Sequence, residues 1–339
     1  MLPPKITGAR GGRGMFGRLT RGGKRPEADP YVLPAPRRFG VYRLEALGDT
    51  RVRTLLRAAE AGDWGAVKEA LTPFGLGRDH QLLDELAEVA GVQDWIGRAV
   101  EEGGEHRATA LLISGARHVV WGWEARTRYE AQHVSPAQWQ VFHERLRIAE
   151  EHLLEAAELR PEWITPWRPL LKSGRGMSLG DDVNRARRDA ALRRDPLDLE
   201  THYEWVTFRQ PRWHGKPGQA LAFAREAFHS APEGHRLGCV LALAHLEDWV
   251  ESDRGDCLDD RHIQTELRDA AKHSILHPAY ERRLGWQEDF NVFAMALSVS
   301  GESIVAPRVY YELRRAYTRW PWRYVNHPEK LYACYRSRA

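Results

Sequence analysis

Cysteine is scarce in this chain of 339 residues: Cys239, Cys257 and Cys334 cannot all pair with one another and are too few for a disulfide framework. No run of 18 apolar residues occurs, so no segment is suited to cross a bilayer as a helix. The opening Met1-Leu2-Pro3-Pro4-Lys5 starts no apolar stretch of signal-peptide length. A reducing cytoplasm is therefore the expected setting. Paired Cys-x-x-Cys and His-Glu-x-x-His are both missing, so neither structural zinc nor a zinc hydrolase has local support. His235 and Cys239 stand four apart, and Cys257 and His262 flank Asp259-Asp260, but neither group has the tight paired spacing of a metal site. The expected metal content is none, and no cofactor is implied.

What the chain does have is charge unevenly placed. The formal charge is +3 overall, +7 over residues 1–39 and +6 over residues 308–339, which leaves the body between them at −10. Such a split speaks of partners and solubility, not of fold. Residues 1–39 also hold seven glycines and six prolines. A segment so poor in apolar side chains buries too little surface to offset its ordering entropy. The reading is a disordered basic arm over 1–39, then a helical domain over 40–339. The Arg-Gly-Gly triplets at 10–12 and 21–23 resemble arginine-glycine tails of RNA-binding proteins, without interleaved aromatics apart from Phe16.

From Asp49 onward the periodicity is helical. Val52, Leu55, Leu56 and Ala59 recur on one face behind an Asp49-Thr50 cap, Gly62-Asp63 breaks the helix, and a second one buries Val67, Ala70 and Leu71. Only Arg38–Tyr42 and His118–Trp121 offer short β-like runs, and the second lies inside a longer helical pattern. A repeat appears when helix-closing prolines are aligned. Pro161, Pro196, Pro232 and Pro278 follow at intervals of 35, 36 and 46 residues. Five residues before the first three stand Ala156, Ala191 and Ala227, where the fourth unit has His273. Twelve before stand Ala149 and Ala220, against Asn184 and Glu266. A small side chain lets the second helix of a hairpin approach its neighbour, and proline then stops it. Two helices and two turns need about 34 residues, the tetratricopeptide period. A fifth hairpin is expected from Phe293–Leu297, a break at Ser300-Gly301-Glu302, and Val305 to Tyr317. The expected architecture is all-α: a tetratricopeptide-like α-solenoid of antiparallel helix hairpins, clearest over 135–320. A helical bundle without repeats is the alternative.

Thr109-Ala110-Leu111-Leu112, Gly115-Ala116-Arg117 with Trp121, Ala156–Pro161, Thr165-Pro166-Trp167, Ala190–Pro196, Trp213-His214-Gly215 with Ala222–Glu226, and Pro321-Trp322-Arg323-Tyr324 together resemble uncharacterised actinobacterial proteins with tetratricopeptide-like repeats. The resemblance spans roughly residues 50–330 and implies the fold and a cytoplasmic bacterial setting, with no activity attached. The family's Trp-Gly-Gly-Ser reads Trp213-His214-Gly215-Lys216 here, which puts any role of that turn in doubt.

Candidate chemistry is thin. Gly174–Gly180 holds three glycines without a Gly-Lys-Ser/Thr ending and reads as the join between two helices. Asp253–Asp260 lacks calcium-loop spacing and reads as a loop between repeats. No convergent catalytic set can be named, so the chain is not expected to be an enzyme. Thirteen tryptophans, many near helix ends, read first as core. Tryptophan and arginine also anchor interfaces. His202, Trp205, Arg209 and Trp213 are therefore the candidate partner-binding residues, with His202 and Arg209 expected to face the concave groove that first helices line in tetratricopeptide arrays. At the other end, Arg314, Arg315, Arg319 and Arg323 interleave with tyrosines and tryptophans, suiting either a polyanion or a capping helix. The expected function is non-catalytic binding of a protein or peptide in a groove. Nucleic-acid association through the basic ends is the alternative, and a helical small-molecule enzyme the third. Partner identity and oligomeric state do not follow from the sequence.

Overall fold

The structure, a computed structural model, describes residues 40–126, 134–252 and 258–339. The arm expected over 1–39, and residues 253–257 of the expected inter-repeat loop, lie outside the described residues. Aspartates start the first helices. The Asp49 carboxylate accepts from the Arg51 N–H to begin α1 (Thr50–Glu60), and that of Asp63 accepts from Ala66 to begin α2 (Trp64–Leu71). The pair closes over Val52, Leu55, Ala59, Val67 and Leu71, all buried as the apolar spacing requires. Helices α3 (His80–Ala87) and α4 (Val92–Glu102) follow, the first capped by Asp79. The long pair α5 (Arg107–Arg126) and α6 (Pro136–Leu159) comes next, with a Ser135/Gln138 capping box opening α6.

Four further pairs are α7 (Trp167–Gly176) with α8 (Asp181–Leu192), α9 (Leu199–Phe208) with α10 (Gln219–Ser230), α11 (Cys239–Glu251) with α12 (Arg261–His273), and α13 (Trp286–Val299) with α14 (Ala306–Leu313). The aligned prolines each follow the second helix of a pair, namely α6, α8, α10 and α12. Ala156, Ala191 and Ala227 are buried, as are Ala149 and Ala220. His273, in the alanine position, packs its ring edge-on to Phe228. The first helices stack in chain order, α5 on α7, α7 on α9, α9 on α11 and α11 on α13. Each second helix packs beneath the first helix of the next pair. Sixteen α-helices, four 3-10 turns of three residues and two strands of two residues each make up the regular structure of the described residues.

His118–Trp121 lies wholly inside α5, as its longer helical pattern requires. Two local expectations differ from what is found. The glycine-rich join begins later, because α7 continues through Gly174 to Gly176. The helix expected to reach Tyr317 stops at Leu313, where Arg314 turns to φ 55°. Beyond it Ala316–Tyr317 (β2) pairs parallel with Tyr42–Arg43 (β1), Tyr42 opposite Ala316. The two ends of the helical layer therefore meet. Leu44 N–H donates to the Tyr317 carbonyl at 2.7 Å, and Gln81 Nε2 donates to the Gly285 carbonyl at 3.4 Å. A short α15 (Arg319–Trp322) and a final α16 (Pro328–Arg338) complete the seam, with Trp322 and Tyr332 fully buried. Two apolar cores result, one from α1 to α7 and one from α9 to the C-terminal segment.

Candidate functional site

Alternate helices turn one stripe each toward a common interior space. From α5 come Ala116, Val119, Val120 and Trp123; from α7, Arg168, Lys172 and Arg175; from α9, Tyr203, Glu204 and Thr207. Helix α11 adds Glu247 and Val250, and α13 adds Gln287 and Glu288. Spacings of three and four keep the α5, α7, α9 and α11 sets each on one helix face. Asp84 and Glu85 of α3, Glu88 just after it, and Arg319, Trp320, Arg323 and Tyr324 of the C-terminal segment close the opposite wall. The cavity measures about 1390 Å³, and its rim residues Arg53, Arg57 and Asn326 are exposed, so it opens to solvent.

Most of its charge is internally matched. Glu204 accepts from Arg175 at 2.9 Å and lies 3.6 Å from Arg168, which also pairs with Asp84. Burial alone would raise the Glu204 carboxyl, yet Arg175 and Arg168 outweigh it and hold it below its ordinary range. Glu247 accepts from the hydroxyl of Tyr203 at 2.9 Å, from the Tyr324 hydroxyl and from Arg212. Burial, then the charge of Glu247, pushes both tyrosines well above their usual value. Three other groups titrate far from their ordinary positions. Burial, with Arg323 and Arg168 nearby and against the pull of Glu204, brings the Lys172 ammonium down to about 8. Burial, with Asp84 and Asp289, lifts Glu288 to about 8, and burial with Asp84 lifts Glu85 to about 7. Perturbed groups gathered in one cleft mark a candidate functional site. At its edge Trp123 and Trp213 meet at 5.7 Å, and the Arg175 guanidinium lies 5.2 Å from the Trp213 ring.

Of the four candidate partner-binding residues, only Trp213 lines this space. His202 is buried, its Nδ1 at 2.7 Å from the Asp198 carbonyl and its ring stacked on Phe223 of α10. Trp205 is buried beneath the guanidinium groups of Arg188 and Arg209, and Arg209 pairs with Asp181 of α8 at 2.6 Å. These three belong to the face of α9 turned toward α8 and α10. The cavity is reached from Tyr203, Glu204 and Thr207, neighbours rotated by about 100° per residue. The basic C-terminal set also divides. Arg319 pairs with Glu88, and Arg323 lies over Trp320 at 4.7 Å, both at the cavity. Arg314 and Arg315 lie off it; their carbonyls accept from Arg336 and from the Tyr42 N–H.

Lys172, Glu204, Glu247, Glu288 and Glu85 were not singled out by sequence. The available signal was Arg168, Lys172 and Arg175 at i, i+4 and i+7, legible once α7 is continued through its glycines. Gly176-Met177-Ser178-Leu179-Gly180 also spells the Gly-x-Ser-x-Gly of a hydrolase nucleophile elbow. That elbow joins a strand to a helix, whereas here helix α7 precedes it, and Ser178 Oγ has no hydrogen-bonded base among the described residues. Among the described residues no group of three or more His, Cys, Asp or Glu side chains could hold a metal ion. No helix among them is long and apolar enough to cross a membrane. No protein-family model matches the chain, and neither a curated protein nor a solved structure is similar to it.

Proposed function

We propose that the chain is a tetratricopeptide-like stack of helix pairs whose ends close on each other, and that it is a non-catalytic scaffold holding a segment of a partner protein in its central cavity. The likeness to uncharacterised actinobacterial proteins, and the cytoplasmic bacterial setting it implies, belong to the same reading. The observation that carries it is the set of stripes that α5, α7, α9, α11 and α13 turn to one space. At about 1390 Å³ the space exceeds the roughly 300–1,000 Å³ of pockets for small ligands, and suits an extended chain rising about 3.3 Å per residue. Tryptophan and arginine at the wall supply the anchor types that interfaces favour. Carboxylates already bonded to arginine and tyrosine partners support binding over catalysis. The nucleic-acid alternative draws less support, since Arg319 is neutralised by Glu88 and the four C-terminal arginines do not form one patch.

A photo-crosslinking residue at Val120 in the wall, compared with one at the exposed Val183 of α8, tests the reading. Defined peptides from one or a few proteins should attach at Val120 and not at Val183. Equal labelling at both positions would remove the cavity as the binding site.

A further inference from the structure

The cavity carries positive charge that its own walls leave unmatched. Asp84 and Glu204 are met by Arg168 and Arg175, Glu88 by Arg319, and Glu247 by Arg212. Among the lining cations outside these pairs are Lys172, half-buried in the α7 stripe, and Arg323, exposed just beyond α15, while Arg53 and Arg57 stand at the rim. Neither the Lys172 nor the Arg323 side chain takes part in an ion pair or hydrogen bond among the described residues. Arg323 instead lays its guanidinium over the Trp320 ring at 4.7 Å, a contact that fixes the plane of its donor fork. Burial, joined by the Arg323 charge and opposed by Glu204, lowers the Lys172 ammonium to about 8. Glu288 offers no relief, since burial beside Asp84 and Asp289 keeps its proton on at neutral pH.

Resting on the cavity as the binding site, we infer that Lys172 and Arg323 form a subsite for a phosphomonoester dianion carried by the ligand. A phosphomonoester brings about −1.5 to −2 charges at pH 7 and so matches both cations, where a carboxylate matches one. The arginine fork grips two oxygens while the ammonium acts as a point charge. A nucleic-acid backbone fits worse, because its repeated phosphates would run on to Glu60 and Glu85 of the same lining.

The test is equilibrium binding to the full chain of phenyl phosphate, of a degenerate phosphoserine peptide library, of the same library without phosphate and of a single-stranded oligonucleotide. Saturable binding of a phosphomonoester is expected, weakened about tenfold or more by Lys172→Gln and by Arg323→Gln. Lys172→Arg should stay within about threefold of the parent, because it keeps the charge. Arg308→Gln on the exposed face of α14 should change nothing, and circular dichroism confirms that each variant is folded. Tighter binding of the phosphopeptides than of phenyl phosphate identifies a phosphorylated partner segment as the source; equal binding identifies a free phosphomonoester. The inference is overturned if no phosphomonoester saturates, if the two glutamine variants bind like the parent, or if only an oligonucleotide binds. Crosslinking at Val120 separates the two levels: labelling that persists without phosphomonoester binding removes this subsite and leaves the scaffold reading standing, whereas absent labelling removes both.

Discussion

At the scale of single residues, small side chains decide where helices approach. Gly174 is the clearest case in α7: a Cβ there would sit 2.3 Å from Asn184 Oδ1 on α8. Asn184 occupies a position where two other units carry Ala149 and Ala220, so the small residue has moved to the facing helix. Gly215 serves a turn instead, since a Cβ there would fall 1.6 Å from the Arg209 carbonyl oxygen. Beside it His214 stacks its ring on Phe208 at 4.7 Å. Gly215→Ala should therefore destabilise the chain by about 2–4 kcal/mol, because backbone must move to admit the methyl. Urea unfolding measures this, and an unchanged midpoint would mean the turn relaxes freely. Ala227 on α10 is buried, so Ala227→Arg should overpack its pair and cost about 1–3 kcal/mol or more. A variant melting like the parent would place that alanine at the surface and break the repeat alignment.

At the scale of elements, the local signals were legible and the long-range ones were not. Asp49 and Asp63 announce α1 and α2 because a capping carboxylate acts within three residues. The prolines locate the ends of α6, α8, α10 and α12 because backbone geometry near proline is equally local. Helix α7 was missed in its second half because glycine in a helix interior lowers propensity, and tertiary contact overrode it. The cavity face of α9 was missed for a different reason: one position of offset turns a stripe by about 100°, and no local rule sets azimuth on a helix so thoroughly buried. The β1–β2 pairing joins residues far apart in sequence, with only two residues in each strand to betray it. The closing segment offers its own test. Tyr332 of α16 is fully buried against Tyr310, Tyr317 and Trp322, yet its hydroxyl has no hydrogen-bond partner among the described residues. Tyr332→Ala should cost about 3–5 kcal/mol, while Tyr332→Phe should be neutral or stabilising, since it removes an unsatisfied buried group. Thermal unfolding of both variants distinguishes packing from polarity at this site.

At the scale of the whole molecule, closing the helical layer into a ring brings titratable groups from opposite ends of the chain into one enclosed space, and stability should record it. Glu288, facing Asp84, Asp289, Arg168 and Arg236, is lifted to about 8 from an ordinary 4.5, and Glu85, facing Asp84, Arg319 and Arg43, to about 7. Below pH 4.5 both are protonated whether the chain is folded or not, so they cost nothing. From pH 4.5 up to about 7 for Glu85 and 8 for Glu288 the unfolded chain has released these protons and the folded chain holds them, so stability falls across that window and levels off once the folded chain releases them too. Lys172, facing Glu204, Arg323, Asp84 and Arg168, acts in the opposite sense above pH 8. Its folded value of about 8 lies below its ordinary 10.5, so the penalty of a charged, crowded ammonium is present below 8 and relieved as pH climbs toward 10.5. The two effects meet near pH 8, where these three groups together place a minimum. Because Glu288 and Lys172 are only half-buried and face open space, each contribution is about 1–3 kcal/mol after allowance for screening. Urea midpoints taken from pH 5 to pH 10 should show that Glu288→Gln flattens the fall below pH 8 and that Lys172→Gln removes the rise above it. If both variants track the parent at every pH, these side chains face solvent in the folded chain, and the two ends of the helical layer do not enclose the space between them.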